Sequence, residues 1–140
     1  MSSARLPAEL DSLAAIRAVI KDAATQAGLA PAAAYRLMLA VDEVATNVIL
    51  HGYQEHELAG NVDLSVEVEG DRLVVRLEDD AVPFDPCTLD LPDAEDLARP
   101  LEERPVGGLG VMLAMEGVDE FSYSRAEERN RNTFIVDMKK

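Results

Sequence analysis

A carboxylate and a carboxamide stand four residues apart in the segment VDEVATN, as Glu43 and Asn47. At about 100° per residue, this spacing puts both side chains on one face of a helix, within roughly 40° of each other. The amide oxygen is a hard ligand of the kind that Mg²⁺ takes, and the carboxylate can accept a proton. Periodicity alone favours a simpler interpretation, a polar helix face in water. Leu39 and Leu50 share that side, which favours a helix covered on both sides.

Two further segments carry residues suited to binding a nucleotide. Asp79 ends a strand pattern in LEDDAVPFDP, and a carboxylate at the edge of an apolar pocket can accept a hydrogen bond from an amine such as that of adenine. Asp79 and Asp80 are also typical of a turn at a strand end. Farther on, the run Gly107-Gly108-Leu109-Gly110 precedes an apolar stretch. Glycines before a helix let the backbone approach a phosphate, although such a run also serves as an ordinary entry loop.

Apolar spacings of three and four predict two helices that would position Glu43 and Asn47. The first covers about residues 9–27, with Gly28 as its stop. The second begins near Pro31, a residue suited to a first helical position, and runs to about His51, with Gly52 ending it. A short edge strand is expected before them, at residues 2–6.

A period of two then predicts strands at about 62–68 and 73–77, joined by the turn Gly70-Asp71. A proline-rich connection at 83–105 follows, then a short helix at 111–115, and two strands at 118–125 and 133–138 joined by a polar turn at 127–131. The order predicts an α/β (α+β) sandwich: a mixed, largely antiparallel sheet with helices packed on one face. Residues 1–140 are expected to form a single domain.

Composition limits the classes of partner and compartment. The formal net charge of −14 argues against nucleic acid as a direct partner, because phosphate backbones are bound mainly by Lys and Arg. The single Cys87 has no partner for an intramolecular disulfide, which fits a reducing compartment. The start of the chain lacks the pattern of a signal peptide, and no apolar stretch is long enough for a membrane span. A cytoplasmic protein without membrane contact is expected.

Taken together, the order of these segments resembles the bacterial anti-sigma regulatory serine/threonine kinases, relatives of histidine-kinase ATPase domains with the Bergerat fold. The segment from Val41 to Tyr53 looks like their N-box helix, and its trailing His-Gly-Tyr is its most specific part. The run from Asp79 to Pro86 resembles their first glycine box, and Gly108 to Gly110 the second. The intervening residues, about 86–106, would be a flexible ATP lid. The resemblance covers almost the whole chain, from about Leu10 onwards.

The resemblance implies ATP and Mg²⁺ as cofactors and a role for each matched residue. Glu43 would be the general base, and Asn47 would hold Mg²⁺. Asp79 would recognise the adenine amine, and Gly108, Leu109 and Gly110 would let the lid and helix backbone close over the phosphates. Thr133 would correspond to a threonine that hydrogen-bonds near the adenine. A sigma factor, a small anti-anti-sigma antagonist of the STAS type and a homodimer would be the implied partners.

The chain departs from the family pattern at two positions. Ala81 stands where the first box usually has glycine, and a methyl group there would weaken binding if the position needs a positive φ. Asn132 precedes Thr133 where related domains often have glycine. The expected lid is also rich in acids, with Arg104 as the nearby cation to test. These features leave a second hypothesis open: a module that binds ATP as a conformational switch and binds partner proteins without catalysing phosphotransfer.

His51 and His56 do not predict a metal site. Five residues do not place two side chains on one helical face, Gly52 is expected to break the helix between them, and no cysteine joins them.

Overall fold

Alternating apolar and polar residues build the antiparallel sheet that carries the site. The structure is a computed structural model and describes residues 2–83 and 116–138. Within those residues the sheet has the spatial order β1-β2-β3-β5-β4, with every neighbouring pair antiparallel. The strands are β1 (Ser2–Pro7), β2 (Asn61–Glu69), β3 (Arg72–Asp79), β4 (Glu120–Ala126) and β5 (Arg129–Asp137).

Two helices cover one face of this sheet. A 3₁₀ turn at Leu10–Ser12 leads into α1 (Leu13–Ala27), and α2 spans Pro31–Asn47. Gly28 ends α1 with φ of 78°, and the Leu29 N–H donates to the Ala24 carbonyl at 3.0 Å. This left-handed glycine cap is the stop that the sequence predicts.

The core lies between the helices and what we call the inner face of the sheet, the face that α1 and α2 cover. Side chains on a strand alternate between faces, so inner and outer residues of β5 follow one another. Ile16 and Ile20 of α1, and Val41 and Val44 of α2, are fully buried against the inner face. The inner-face residues of the three central strands are Val62, Leu64, Val66, Leu73, Val75, Leu77, Asp79, Asn130, Asn132, Phe134 and Val136. The predicted α/β sandwich, with helices on one face of an antiparallel sheet, is therefore confirmed.

Two predicted boundaries are wrong. Gly52 does not end the second helix, because a π-helical turn at Val48–Tyr53 and a 3₁₀ turn at Gln54–His56 continue it. The polar segment 127–131 is mostly strand: β5 begins at Arg129, and the connection from β4 is the two residues Glu127 and Glu128, both with positive φ. Polar residues occur on both faces of β5 at its start, which is why the pattern resembled a turn.

Residues 84–115, which include the predicted lid and the short helix after Gly110, lie outside the described residues. Within the described parts of the chain, no helix has both the length and the apolar character needed to cross a membrane.

Candidate functional site

Asp79 is a completely buried carboxylate at the end of β3. Its Oδ1 accepts hydrogen bonds from the Ala81 N–H at 3.0 Å and from Asn130 Nδ2 at 2.8 Å. Its Oδ2 has no hydrogen-bond partner among the described residues. Burial raises the pKa of Asp79, while the two hydrogen bonds act in the opposite direction. Asp79 Oδ2 is thus a buried inner-face oxygen that can accept a hydrogen bond from a ligand.

Asn130, directly opposite Asp79 in the ladder, holds this carboxylate in place. Its Nδ2 donates to Asp79 and to the Val82 carbonyl, at 2.8 and 2.9 Å. Its Oδ1 accepts from the Tyr123 hydroxyl and from Arg125 Nη1, the latter at 3.0 Å. Because the Asn130 nitrogen donates and its oxygen accepts, these hydrogen bonds are compatible with a single orientation of the amide. That orientation determines which oxygen of Asp79 is hydrogen-bonded to Asn130 and which is left without a partner.

Glu43 and Asn47 lie one turn apart at the C-terminal end of α2. Glu43 is half-buried, and its pKa is raised first by burial and then by the neighbouring Asp42. Asp42 itself accepts a hydrogen bond from Arg17 Nε at 2.7 Å. Asn47 is buried, and its Nδ2 has no partner among the described residues. The pair therefore differs from a polar helix face in water, because neither side chain is freely solvated.

The turn after Asn47 contacts the segment after Asp79 directly. A Cβ added at Gly52 would lie 3.0 Å from the Cβ of Ala81, so the backbone of the turn and the Ala81 methyl are in close contact. The Tyr53 hydroxyl accepts from the Asp80 N–H and donates to the Asn61 carbonyl, both at 2.9 Å. These contacts fix the end of α2 against the end of β3. π-Helical turns of this kind are frequent at functional sites.

Ala81 has ordinary backbone geometry. The described non-glycine residues with positive φ are Glu57, Glu127 and Glu128, so Ala81 does not need the conformation that favours glycine. Its methyl group packs against Gly52 and is buried. The departure from the family pattern at this position is therefore accommodated by the missing side chain of Gly52.

The structure does not bring all predicted residues together. Thr133 lies on the outer face of β5, opposite Arg76 of β3, whereas Asp79 is on the inner face. Asn132 occupies the neighbouring inner-face position and is completely buried. Thr133 as an adenine contact stays a prediction, as do Gly108, Leu109 and Gly110, which lie outside the described residues together with Arg104.

Sequence reasoning missed Asn130 and assigned no role to the Asn132 side chain. A signal was available: both asparagines share the period-two register of Phe134 and Val136, which are buried. A polar residue in register with core residues indicates a buried polar group, and such a group needs a partner.

The two histidines take no part in a metal cluster within the described residues. His51 Nδ1 lies 2.9 Å from Glu55 Oε1, and His56 is exposed. No group of three His, Cys, Asp or Glu side chains in residues 2–83 and 116–138 is placed to hold a metal ion.

The fold is an α/β domain whose inner face carries buried polar atoms without partners among the described residues. The unsatisfied Asp79 Oδ2 can accept a hydrogen bond from an amine-bearing base, and the unsatisfied Asn47 Nδ2 is a donor that fits a phosphate oxygen. The amide oxygen of Asn47 is of the kind that ligates Mg²⁺. A family model described as the histidine kinase-like ATPase domain matches residues 6–139. The chain belongs to this family, and the superfamily assignment made from the sequence is confirmed.

Relatives and solved structures agree with this membership. The chain is 27% identical over 124 residues to the serine-protein kinase RsbW of Bacillus cereus (strain AH187) and to that of Bacillus mycoides (strain KBAB4), covering 88% of this chain and 76% of each relative. The histidine kinase domain of the Erythrobacter litoralis EL346 blue-light activated histidine kinase matches with a TM-score of 0.54 at 19% identity, over 91% of this chain and 61% of that one. Acinetobacter baumannii histidine kinase AdeS matches with a TM-score of 0.51 at 16% identity, over 100% of this chain and 69% of that one. At these low identities, the two structural matches show that the fold is shared and nothing about activity.

Proposed function

We propose that this protein is an ATP- and Mg²⁺-dependent serine/threonine protein kinase of the anti-sigma regulatory type. It would phosphorylate a small anti-anti-sigma antagonist protein of the STAS type and sequester a sigma factor, acting as a homodimer. The observation that carries the proposal is the buried Asp79 carboxylate with one free oxygen, fixed against the end of the helix that bears Glu43 and Asn47. The two Bacillus relatives also support the proposal, because both are named serine-protein kinases.

Each described residue has one task in this proposal. The free Asp79 oxygen accepts a hydrogen bond from the adenine amine, which selects an amine over a carbonyl at that position of the base. Asn47 holds Mg²⁺ through its amide oxygen, and the ion, when bound, neutralises charge on the phosphates. Glu43 takes the proton of the serine or threonine hydroxyl while that oxygen bonds to the γ-phosphorus. The bond from the γ-phosphorus to the β–γ bridging oxygen breaks, and ADP leaves.

The environment of Glu43 supports a proton acceptor. Burial raises the pKa of Glu43 above that of an exposed glutamate, so its carboxylate holds a proton more tightly. The group still has to be ionised to act as a base. Transfer is therefore expected to fall as the pH drops through this raised pKa.

The experiment is phosphotransfer from labelled ATP to candidate antagonist proteins by the wild type and by Glu43→Gln. Removing a general base lowers the rate by about 10²- to 10⁴-fold, and the amide should leave ATP affinity nearly unchanged. Asp42→Asn is the matched control, because Asp42 is the adjacent acid and pairs with Arg17. It should keep wild-type transfer to within a few-fold.

The outcomes separate the two functional hypotheses. Undiminished transfer by Glu43→Gln would remove Glu43 as the base. A wild type that binds ATP tightly and phosphorylates no antagonist would support the conformational switch that binds partners without catalysis.

A further inference from the structure

Asn132 is a completely buried amide without a hydrogen bond in the described protein. Its exposed fraction is 0%, and neither Nδ2 nor Oδ1 has a partner among the described residues. Buried polar groups are nearly always hydrogen-bonded, because leaving one unsatisfied forfeits its interactions with water. A residue that leaves both a donor and an acceptor unsatisfied therefore indicates a ligand with a matching acceptor and donor.

The position of Asn132 places this amide beside Asp79. Asn130 lies directly opposite Asp79 in the ladder, and Asn132 is two residues farther along the same strand, opposite Leu77. All of these side chains face the inner side of the sheet. Diagonal neighbours of this kind are separated by about 7–8 Å, within the span of one planar base. Asp79 and Asn132 can thus contact the same ligand.

The chemistry of the base leaves one N–H for Asn132. An exocyclic amine has two N–H groups, but Asp79 offers a single free oxygen, because its Oδ1 is occupied by Asn130 and the Ala81 N–H. A second acceptor is needed to satisfy the amine. Asparagine is well suited to this task, since its side chain can accept from an adenine amine while donating to the ring nitrogen next to it.

We propose that Asn132 is a specificity-determining residue that binds the nucleobase beside Asp79. Its Oδ1 accepts from the second N–H of the exocyclic amine, and its Nδ2 donates to the adjacent ring nitrogen. A base with a carbonyl in place of the amine would direct an oxygen at both Asp79 and Asn132. The inference rests on the proposed nucleotide-binding function and adds the second residue that would select a 6-aminopurine.

The test compares Asn132→Leu with Arg131→Gln by calorimetric titration with ATP and GTP and by melting of the free protein. Leucine has nearly the same volume but no polar atoms. ATP affinity should fall by about tenfold or more, and the preference for ATP over GTP should shrink. The free variant should melt at or above the wild-type temperature, because two unsatisfied buried groups are removed. Arg131→Gln changes the adjacent outer-face residue, whose guanidinium pairs with Glu78, and should leave ATP affinity and the preference for ATP over GTP unchanged.

Analogue nucleotides identify the edge of the base that is bound. Titrations with 1-deaza-ATP and 7-deaza-ATP each remove one ring nitrogen next to the amine. With one of the two analogues, the affinity ratio between wild type and Asn132→Leu should shrink severalfold. Equal ratios with both analogues and with ATP would overturn the pairing of Nδ2 with a ring nitrogen.

The remaining outcomes are distinct. If the wild type binds ATP and Asn132→Leu binds it equally well, water satisfies the amide and the inference fails while the proposed function stands. If the wild type binds neither ATP nor GTP, both fail. Should the leucine variant not fold, Asn132→Thr replaces it. Its single hydroxyl should leave ATP affinity severalfold below wild type, and wild-type affinity would overturn the inference.

Discussion

Two aspartates on adjacent strands, Asp63 and Asp79, have opposite environments. Asp63 lies on the outer face of β2, where Arg5 Nε and Arg129 Nη2 each donate to it at 2.7 Å. The hydrogen bond from Arg5, followed by that from Arg129, lowers the pKa of Asp63 despite its partial burial. Asp79 lies on the inner face, where the described residues that hydrogen-bond to it include no cation, and burial raises its pKa. The same side chain is thus stabilised as an anion on one face and destabilised on the other.

The two faces differ in the same way as the two aspartates. On the outer face, charged side chains of neighbouring strands pair with each other, as Arg131 does with Glu78 at 3.0 Å and Arg76 with Glu67 at 3.4 Å. On the inner face, Asp79 and Asn132 keep unsatisfied atoms inside the core. Exposed ion pairs contribute little to stability, whereas buried unsatisfied groups cost stability. The costly groups are therefore the better candidates for function.

The largest effect is expected from Asp79→Asn. The amide keeps an oxygen for Asn130 and the Ala81 N–H but replaces the free acceptor with a donor, so ATP affinity should fall by about 10- to 100-fold. At neutral pH the free variant should melt roughly 2–5 °C higher than wild type, because a buried charge has been removed. Calorimetric titration and thermal melting measure the two effects.

The pH dependence of this stabilisation has a defined sign. The pKa of Asp79 is raised in the folded protein. The protonated carboxyl group therefore favours folding: this contribution to the free energy of unfolding is fully present below the ordinary pKa of aspartate and is lost as the pH rises through the raised, folded-state pKa. The melting-temperature gain of Asp79→Asn should therefore shrink as the pH is lowered. Glu78→Gln, on the outer face, is the control and should leave ATP affinity unchanged. A destabilised Asp79→Asn variant would contradict the comparison between the faces.

A smaller effect is expected where the helical turn contacts the end of β3. Gly52→Ala would bring two methyl carbons to 3.0 Å, which is closer than nearly all real contacts of this type. Overpacking should lower the free energy of unfolding by about 1–3 kcal/mol, measured by urea denaturation. Ala81→Gly should restore at least about 1 kcal/mol of that loss in the double variant. Strictly additive effects would show that the two residues are not in contact.

The smallest effect is expected on the outer face, from Arg129→Met. Arg129 contacts Asp63 and Asp80 at 2.7 and 2.8 Å, but its side chain is 30% exposed. The free energy of unfolding should fall by about 0.5–1 kcal/mol in low salt and by less in 0.5 M salt, because exposed pairs are screened. ATP affinity should stay within about twofold of wild type. If Arg129→Met lowered the free energy of unfolding as much as Gly52→Ala does, the outer-face ion pairs would be important for stability, which would contradict this prediction.

Local patterns predicted most of the fold. Period-two alternation located the β2–β3 hairpin, and Gly28 predicted the end of α1, because both signals depend on neighbouring residues. The predictions that proved wrong depended on tertiary contacts. Gly52 was expected to end a helix, but its lack of a side chain instead allows the turn to pack against Ala81. The start of β5 resembled a turn because the partners of its polar residues are distant in sequence.

The sequence by itself determined which residues of α2 share a face, because helical spacing alone places Glu43 near Asn47. It also determined the strand-end position of Asp79. Only the tertiary structure decided that Asn130 occupies one oxygen of that carboxylate and leaves the other free. It likewise decided that Asn132, and not Thr133, shares the inner face with Asp79. The physical reason is that burial and hydrogen-bond satisfaction depend on contacts between segments some 50 residues apart, as Asp79 and Asn130 are.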